Sequence, residues 1–131
     1  MRRFLLLAAL LCLTGSVAFA QDAVKVDPKH YKVEIDNAQV RVLRIHYGPH
    51  EKSVMHHHPD SVVTFLTDAH VKFTLPDGTS TEHTVKAGDA QWTPAGTHLP
   101  ENLGDTAMEG ILVELKHSAP TPKPAPKPAT K

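Results

Sequence analysis

The run Gly48-Pro49-His50-Glu51-Lys52-Ser53-Val54-Met55-His56-His57-His58-Pro59-Asp60 decides how the rest of the chain is read. If its second half is an extended strand, side chains alternate across it, so His56 and His58 face one way and His57 the other. Two imidazoles then converge on one point. A divalent transition metal takes nitrogen ligands at about 2.0–2.2 Å, and a neighbouring strand that supplies a third ligand completes an open facial site. His98 is the best third ligand in the sequence.

Working outward, strand character dominates from Gln21 to His117, and no segment shows a long helical period. Tyr31 to Asp36 alternates polar and apolar residues, and Asn37-Ala38 then turns into Gln39 to Tyr47, which predicts an opening hairpin. The apolar phase shifts between Val42 and Leu43, which predicts a bulge or burial on both faces there and keeps Arg41 and Arg44 from pointing the same way. Either arginine could hold an anionic substrate, or be solvated or ion-paired at the surface. After the histidines come an apolar strand from Val62 to Leu66 and an alternating one from Ala69 to Leu75, with Val71, Phe73 and Leu75 expected inward. Pro76-Asp77-Gly78 turns that strand back into Ser80 to Lys86. Lys86 to Asp89 turns into Ala90 to Thr93, the His98 strand follows Pro94-Ala95-Gly96, and a final strand runs from Ala107 to Lys116. Short strands separated by Gly, Pro and Asp turns predict an all-β, antiparallel barrel or sandwich.

Two stretches resemble the paired motifs of the cupin family. Gly48 to Asp68 resembles the first, with its glycine, His-x-His and short apolar strand, and Gly88 to Asn102 resembles the second, through Pro94-Ala95-Gly96, His98 and Asn102. The residues between His58 and Gly88 suit the hairpin that usually separates the motifs. The resemblance implies a small antiparallel β-barrel, a double-stranded jelly roll, with His56, His58 and His98 as ligands of a divalent ion such as Fe, Mn, Zn or Ni. Family members carry a glutamate four residues after the second histidine of His-x-His, where this chain has Val62, so no carboxylate ligand is carried over. Only Thr97 separates Gly96 from His98, one residue fewer than the common form. An asparagine at the place of Asn102 more often supports local structure in cupins than chemistry, and Glu101 falls on the opposite face of a regular strand. His46 and His50 read as exposed polar residues.

The two ends of the 131-residue chain do not look like part of this domain, which is expected to span residues 21–117. Met1-Arg2-Arg3, the apolar run from Phe4 to Leu13 and Ala18-Phe19-Ala20 have the form of a Sec-type signal peptide cleaved after Ala20, so a periplasmic or secreted protein is expected. The apolar run is shorter than the roughly 20 residues a bilayer core requires, so no stable membrane insertion is expected once the signal is removed. Ser118 to Lys131 has proline at every second position from Pro120 to Pro128, which predicts an extended, solvated tail that could contact the cell envelope or a protein partner.

The single cysteine, Cys12, lies in the segment to be removed, which leaves histidine and carboxylate as the candidate chemistry and no disulfide. Residues 21–117 hold nine Lys and Arg against fourteen Asp and Glu, a formal charge of −5 hidden by the neutral total. An acidic domain argues against nucleic-acid binding, which demands a basic face. The expected partner is a small molecule. Two functions remain open: an oxygenase or isomerase acting on a small anionic or oxygenated compound, and a non-enzymatic periplasmic module binding a small molecule or metal at a degenerate site. Pairing of two barrels into a homodimer is left open as well.

Overall fold

A computed structural model describes residues 21–117, and the predicted signal segment 1–20 and tail 118–131 lie outside the described residues. The chain opens with one helical turn, α1 (Ala23–Val26), capped by the Asp22 carboxylate, which accepts from the backbone N–H of Val24 at 3.1 Å and Lys25 at 3.3 Å. Nine strands follow: β1 (Tyr31–Asp36), β2 (Val40–Tyr47), β3 (His56–His58), β4 (Ser61–Phe65), β5 (Ala69–Thr74), β6 (Ser80–Val85), β7 (Ala90–Thr93), β8 (Gly96–Asn102) and β9 (Met108–Leu115).

They form two antiparallel sheets, in the orders β1-β2-β9-β4-β7 and β3-β8-β5-β6, so the expected jelly roll is the observed fold. β9 lies at the centre of the five-stranded sheet and shows how sequence parity becomes burial. Met108, Gly110, Leu112 and Glu114 are buried, whereas the residues between them are partly exposed. Gly110 is required by close approach: a Cβ there would lie 3.3 Å from the Thr64 carbonyl oxygen and 3.8 Å from the Val63 side chain. Leu43, Ile45, Tyr47, Phe65, Val71 and Leu112 fill the space between the sheets, each contributing about 1.5–3 kcal/mol by leaving water.

Two local expectations are corrected. The register shift belongs to β1, where Val33 pairs with Leu43 and Ile35 with Val42, so Glu34 is the extra residue opposite the Val42–Leu43 step. Leu75 falls just outside β5 and is 43% exposed, because the strand ends where the chain turns at Pro76-Asp77-Gly78, with Gly78 at φ 85°. The helical turn α1 is too short to show a sequence period, and it comes from the Asp22 cap.

Candidate metal centre

The pairing of β3 with β8 places His56 opposite His98 and His58 opposite Gly96. His56, His58 and His98 therefore share one face, with ring centroids 4.8–5.5 Å apart. One ring nitrogen from each lies within 4.8 Å of the others, close enough to share one ion. His57 points away, with Nδ1 3.3 Å from Thr97 Oγ1, while its backbone N–H donates to the Gln21 carbonyl at 2.7 Å. Alternation on a strand and a register between strands are sufficient to make this cluster.

The second nitrogen of each ring decides which one is free. His56 Nδ1–H donates to the Val54 carbonyl at 2.8 Å and also meets Ser53 Oγ at 3.1 Å, and Ser53 in turn donates to Asp27. His58 Nδ1–H donates to Glu114 at 2.7 Å. Both rings thus present Nε2 lone pairs to the shared face, the tautomer a metal needs. His56 Nε2 is buried and has no hydrogen-bond partner, an expensive state for a polar atom unless something else occupies its lone pair. Ser61 Oγ, inward-facing on β4, is the other buried orphan among the described residues. The three converging imidazoles and the orphaned His56 Nε2 fit a divalent cation.

Behind the ligands lie two ion-paired supports with roots in the segment ahead of β1. Glu114 is 1% exposed and accepts from Arg41 at 2.5 Å as well as from His58, while Arg41 also reaches Asp22 at 2.6 Å. Burial pushes the Glu114 carboxyl up, but the hydrogen bonds from His58 and Arg41 outweigh it and hold it below its usual range. On the other side Asp27, through Ser53, supports His56, and Asp27 also accepts from His30, whose other ring nitrogen meets Glu51 at 3.2 Å. Arg41 is therefore committed to this support and lines no part of the cavity, while Arg44 pairs with Glu34 at 2.6 Å on the surface. His98 has Phe73 for a ring neighbour, 5.1 Å between centroids.

His58 and His98 open onto a cavity of about 160 Å³, which His83 also lines. Its walls are largely apolar, including Ile45, Phe65, Val71, Phe73 and Leu112, with Tyr31, Gln91 and Thr93 as polar groups, and no Lys, Arg, Asp or Glu among the lining residues. Ser61, Val63 and Phe65 are the cavity-side residues of β4. Val62, assigned above to the missing glutamate, faces the other way, so the carboxylate is absent for a different reason: the inward positions are Ser61 and Val63. Glu101 is taken up by Lys72 at 2.7 Å. Asn102 bonds Gly48, Thr106 and Gly104 at 2.8–3.0 Å and so ties down the loops at that end of the barrel. His46 and His50 are exposed.

Apart from Arg41, whose ion-paired alternative is the observed one, the supporting residues were not singled out from sequence, although Glu114 carried a signal. It shares the parity of Met108 and Leu112 in an otherwise apolar strand, which marks a carboxylate on the buried face.

The neutral form of the cluster has a consequence for stability. Burial first, then the neighbouring His58, lowers His56 from its ordinary 6.5 to about 4, and burial with His58, His56 and His57 lowers His98 to about 3. Below pH 6.5 the unfolded chain therefore binds protons that the folded chain refuses, so stability falls with pH until those values are reached. Glu114 adds a loss of the same sign as pH falls below its ordinary 4.5. Urea midpoints of the metal-free protein are expected to be level above about pH 7 and to decline steadily from there toward pH 4. A midpoint independent of pH over that range would show the imidazoles to be freely solvated.

No family model and no curated protein matches the chain. Solved structures do. A cupin domain from Bordetella pertussis is 28% identical with a TM-score of 0.62, over 66% of this chain and 92% of its own. A protein with a double-stranded β-helix domain from Klebsiella pneumoniae is 22% identical with a TM-score of 0.54, over 65% of this chain and 74% of its own. A cupin family protein from Methanocaldococcus jannaschii is 20% identical with a TM-score of 0.53, over 70% of this chain and 84% of its own.

Proposed function

Because this chain is by its fold a member of the cupin superfamily, we propose that His56, His58 and His98 hold one divalent transition-metal ion, Fe, Mn, Zn or Ni, and that the ion and the cavity together take a small oxygenated compound. The observation that carries the reading is the buried, unpartnered Nε2 of His56 facing two further imidazoles. Such an ion, held by three neutral ligands, keeps its double charge and open positions, and so supplies Lewis-acid or redox chemistry to oxygen donors.

The protein's own residues would select the compound. A cavity of about 160 Å³ suits a body near the size of benzene, which enters an apolar cavity of roughly 150 Å³. With no Lys or Arg among the lining residues, positive charge would be concentrated at the ion, and a negative charge placed at the far, apolar end would remain uncompensated. Tyr31 is 3% exposed, stands beside His56 and His58, and accepts from the Tyr47 hydroxyl at 2.9 Å. Its own proton is free to be donated to a ligand oxygen, and burial raises its pKa well above the usual value and keeps the proton in place. The favoured class is a compact, largely apolar compound whose ionised oxygens all lie at one end. Export to the periplasm or outside belongs to the same proposal, supported by the charged start, the apolar run and Ala18-Phe19-Ala20.

Activity as an oxygenase or isomerase is the first reading. A binding module without turnover is the second, favoured by the absence of any carboxylate among the lining residues, which leaves His83 as the lining imidazole outside the ligand set able to act as a general base. Protein purified without a polyhistidine tag and loaded separately with each ion should bind singly charged phenols, enols and carboxylates by calorimetry, and the metal-free protein should bind them far less. Equal binding of a dianion of the same size whose second charge lies at the far end from the first would defeat the charge argument. Consumption of oxygen or isomerisation of a bound compound would choose the enzyme, and stoichiometric binding without change would choose the module.

A further inference from the structure

Of the two buried polar atoms without a hydrogen-bond partner among the described residues, His56 Nε2 is assigned to the ion and Ser61 Oγ is left over. Ser61 is 0% exposed and lines the cavity. Its backbone is held on both sides, opposite Glu114 of β9 and Thr93 of β7. The preceding Asp60 adds two ties: its carbonyl accepts from the Leu115 N–H at 2.8 Å and its carboxylate from the Ala95 N–H at 2.7 Å. The hydroxyl therefore projects from a fixed point. Glu114 stands beside it in register, but that carboxylate is committed to His58 and Arg41. Thr93, its other neighbour, also lines the cavity, and side chains paired in this way hold their Cβ atoms about 4.5–5.5 Å apart. Alanine would fill the same space without a desolvated hydroxyl, so a serine here costs stability for as long as the cavity holds nothing that bonds to it.

We infer that Ser61, with Thr93 beside it, is a second binding point for the ligand, a subsite for a neutral hydroxyl carried apart from the ionised end. The inference rests on the ion-and-cavity reading above and narrows it to small anions that bear a further, uncharged hydroxyl. Two neighbouring side-chain hydroxyls suit such a group, because it both accepts and donates: Ser61 Oγ–H donates to its oxygen, and Thr93 Oγ1 accepts its proton. A ligand without the hydroxyl leaves Ser61 unsatisfied. A site built to hydrogen-bond one group rejects the analogue lacking it more strongly than apolar contact alone can, so Ser61 supplies a selectivity that the apolar walls do not. Its attachment to a strand paired on both sides, rather than to a loop, keeps the donor in place before the ligand arrives.

Benzoate and its meta- and para-hydroxy derivatives are the probes, titrated by calorimetry into the ion-loaded protein. Their hydroxyls lie too far from the carboxylate to chelate the same ion, so a preference for one of them reports on the wall and not on the metal. One hydroxybenzoate should bind about 5- to 10-fold more tightly than benzoate. Ser61→Ala should bring the two affinities together at parental ion content, and Thr93→Val should narrow the gap. With neither ion nor probe present, the urea midpoint of Ser61→Ala should equal or exceed that of the parent, because no hydrogen bond is lost. The inference falls, with the metal reading intact, if neither hydroxybenzoate is preferred, if the preference survives Ser61→Ala, or if Ser61→Ala lowers the midpoint, which would show the hydroxyl to be bonded in the empty protein. A parent that takes up no ion overturns the metal reading and this inference with it.

Discussion

Metal content is expected to fall from about one ion per chain to background when His56 is replaced by alanine, with His98→Ala giving a large but smaller loss and His57→Ala none. The ranking follows from how each ring is held. His56 is fully buried, its Nδ1–H is fixed by the Val54 carbonyl and Ser53, and its Nε2 has no other partner, so this ring is preorganised for one task. His98 is partly exposed and is positioned by packing against Phe73. Loss of an outer partner of a ligand typically costs 10- to 100-fold in metal affinity, so loss of the ligand itself should exceed that. The same change should flatten the acid limb of the stability profile, because one imidazole that must remain neutral has gone. Elemental analysis of the tag-free parent and the three variants measures the first effect, and urea unfolding against pH measures the second. Equal metal in all four proteins would end the metal assignment.

Removing the Glu114 carboxylate is the other change with a large expected effect. Glu114→Ala leaves Arg41 and the His58 N–H facing a buried gap, and breaking a buried charge pair on one side costs about 3–5 kcal/mol. For a domain of this size that is a large share of the total stability. Glu114→Gln keeps the shape and an acceptor for His58 but removes the charge. It should fold with a smaller loss and bind metal roughly 10- to 100-fold more weakly, since an imidazole hydrogen-bonded to a carboxylate is the stronger ligand. Chemical denaturation of the metal-free variants and competition with a chelator separate the two effects. Parental metal affinity in Glu114→Gln would reduce Glu114 to a structural role.

Much of the architecture could be read because it depends on local chemistry. Gly48-Pro49, Pro59-Asp60 and Pro76-Asp77-Gly78 mark chain reversals by residue type, and the runs between them are apolar or alternating over strand-length stretches without a helical period. Leu75 was misjudged because alternation alone does not say where a strand ends. The bulge was misplaced because a phase shift in β2 can answer an extra residue in β1, and only the pairing of Val33 and Ile35 shows which strand holds it. The site divides in the same way. His56 and His58 share a face by strand alternation, whereas Glu114, Arg41, Asp22, Asp27 and Ser53 come from distant parts of the chain, and no spacing rule links them.

The order of residues in this chain is thus sufficient for strands, turns and a pair of imidazoles on one side of a short extended run, because those properties depend on neighbours in the chain. Which residues meet across the barrel was decided by tertiary structure alone. Closure of two sheets brought His98 opposite His56, turned the carboxylate of β9 onto His58, and left Val62 outside and Ser61 inside. Each of those contacts is a product of register between strands, and register is set by the simultaneous packing of the whole core.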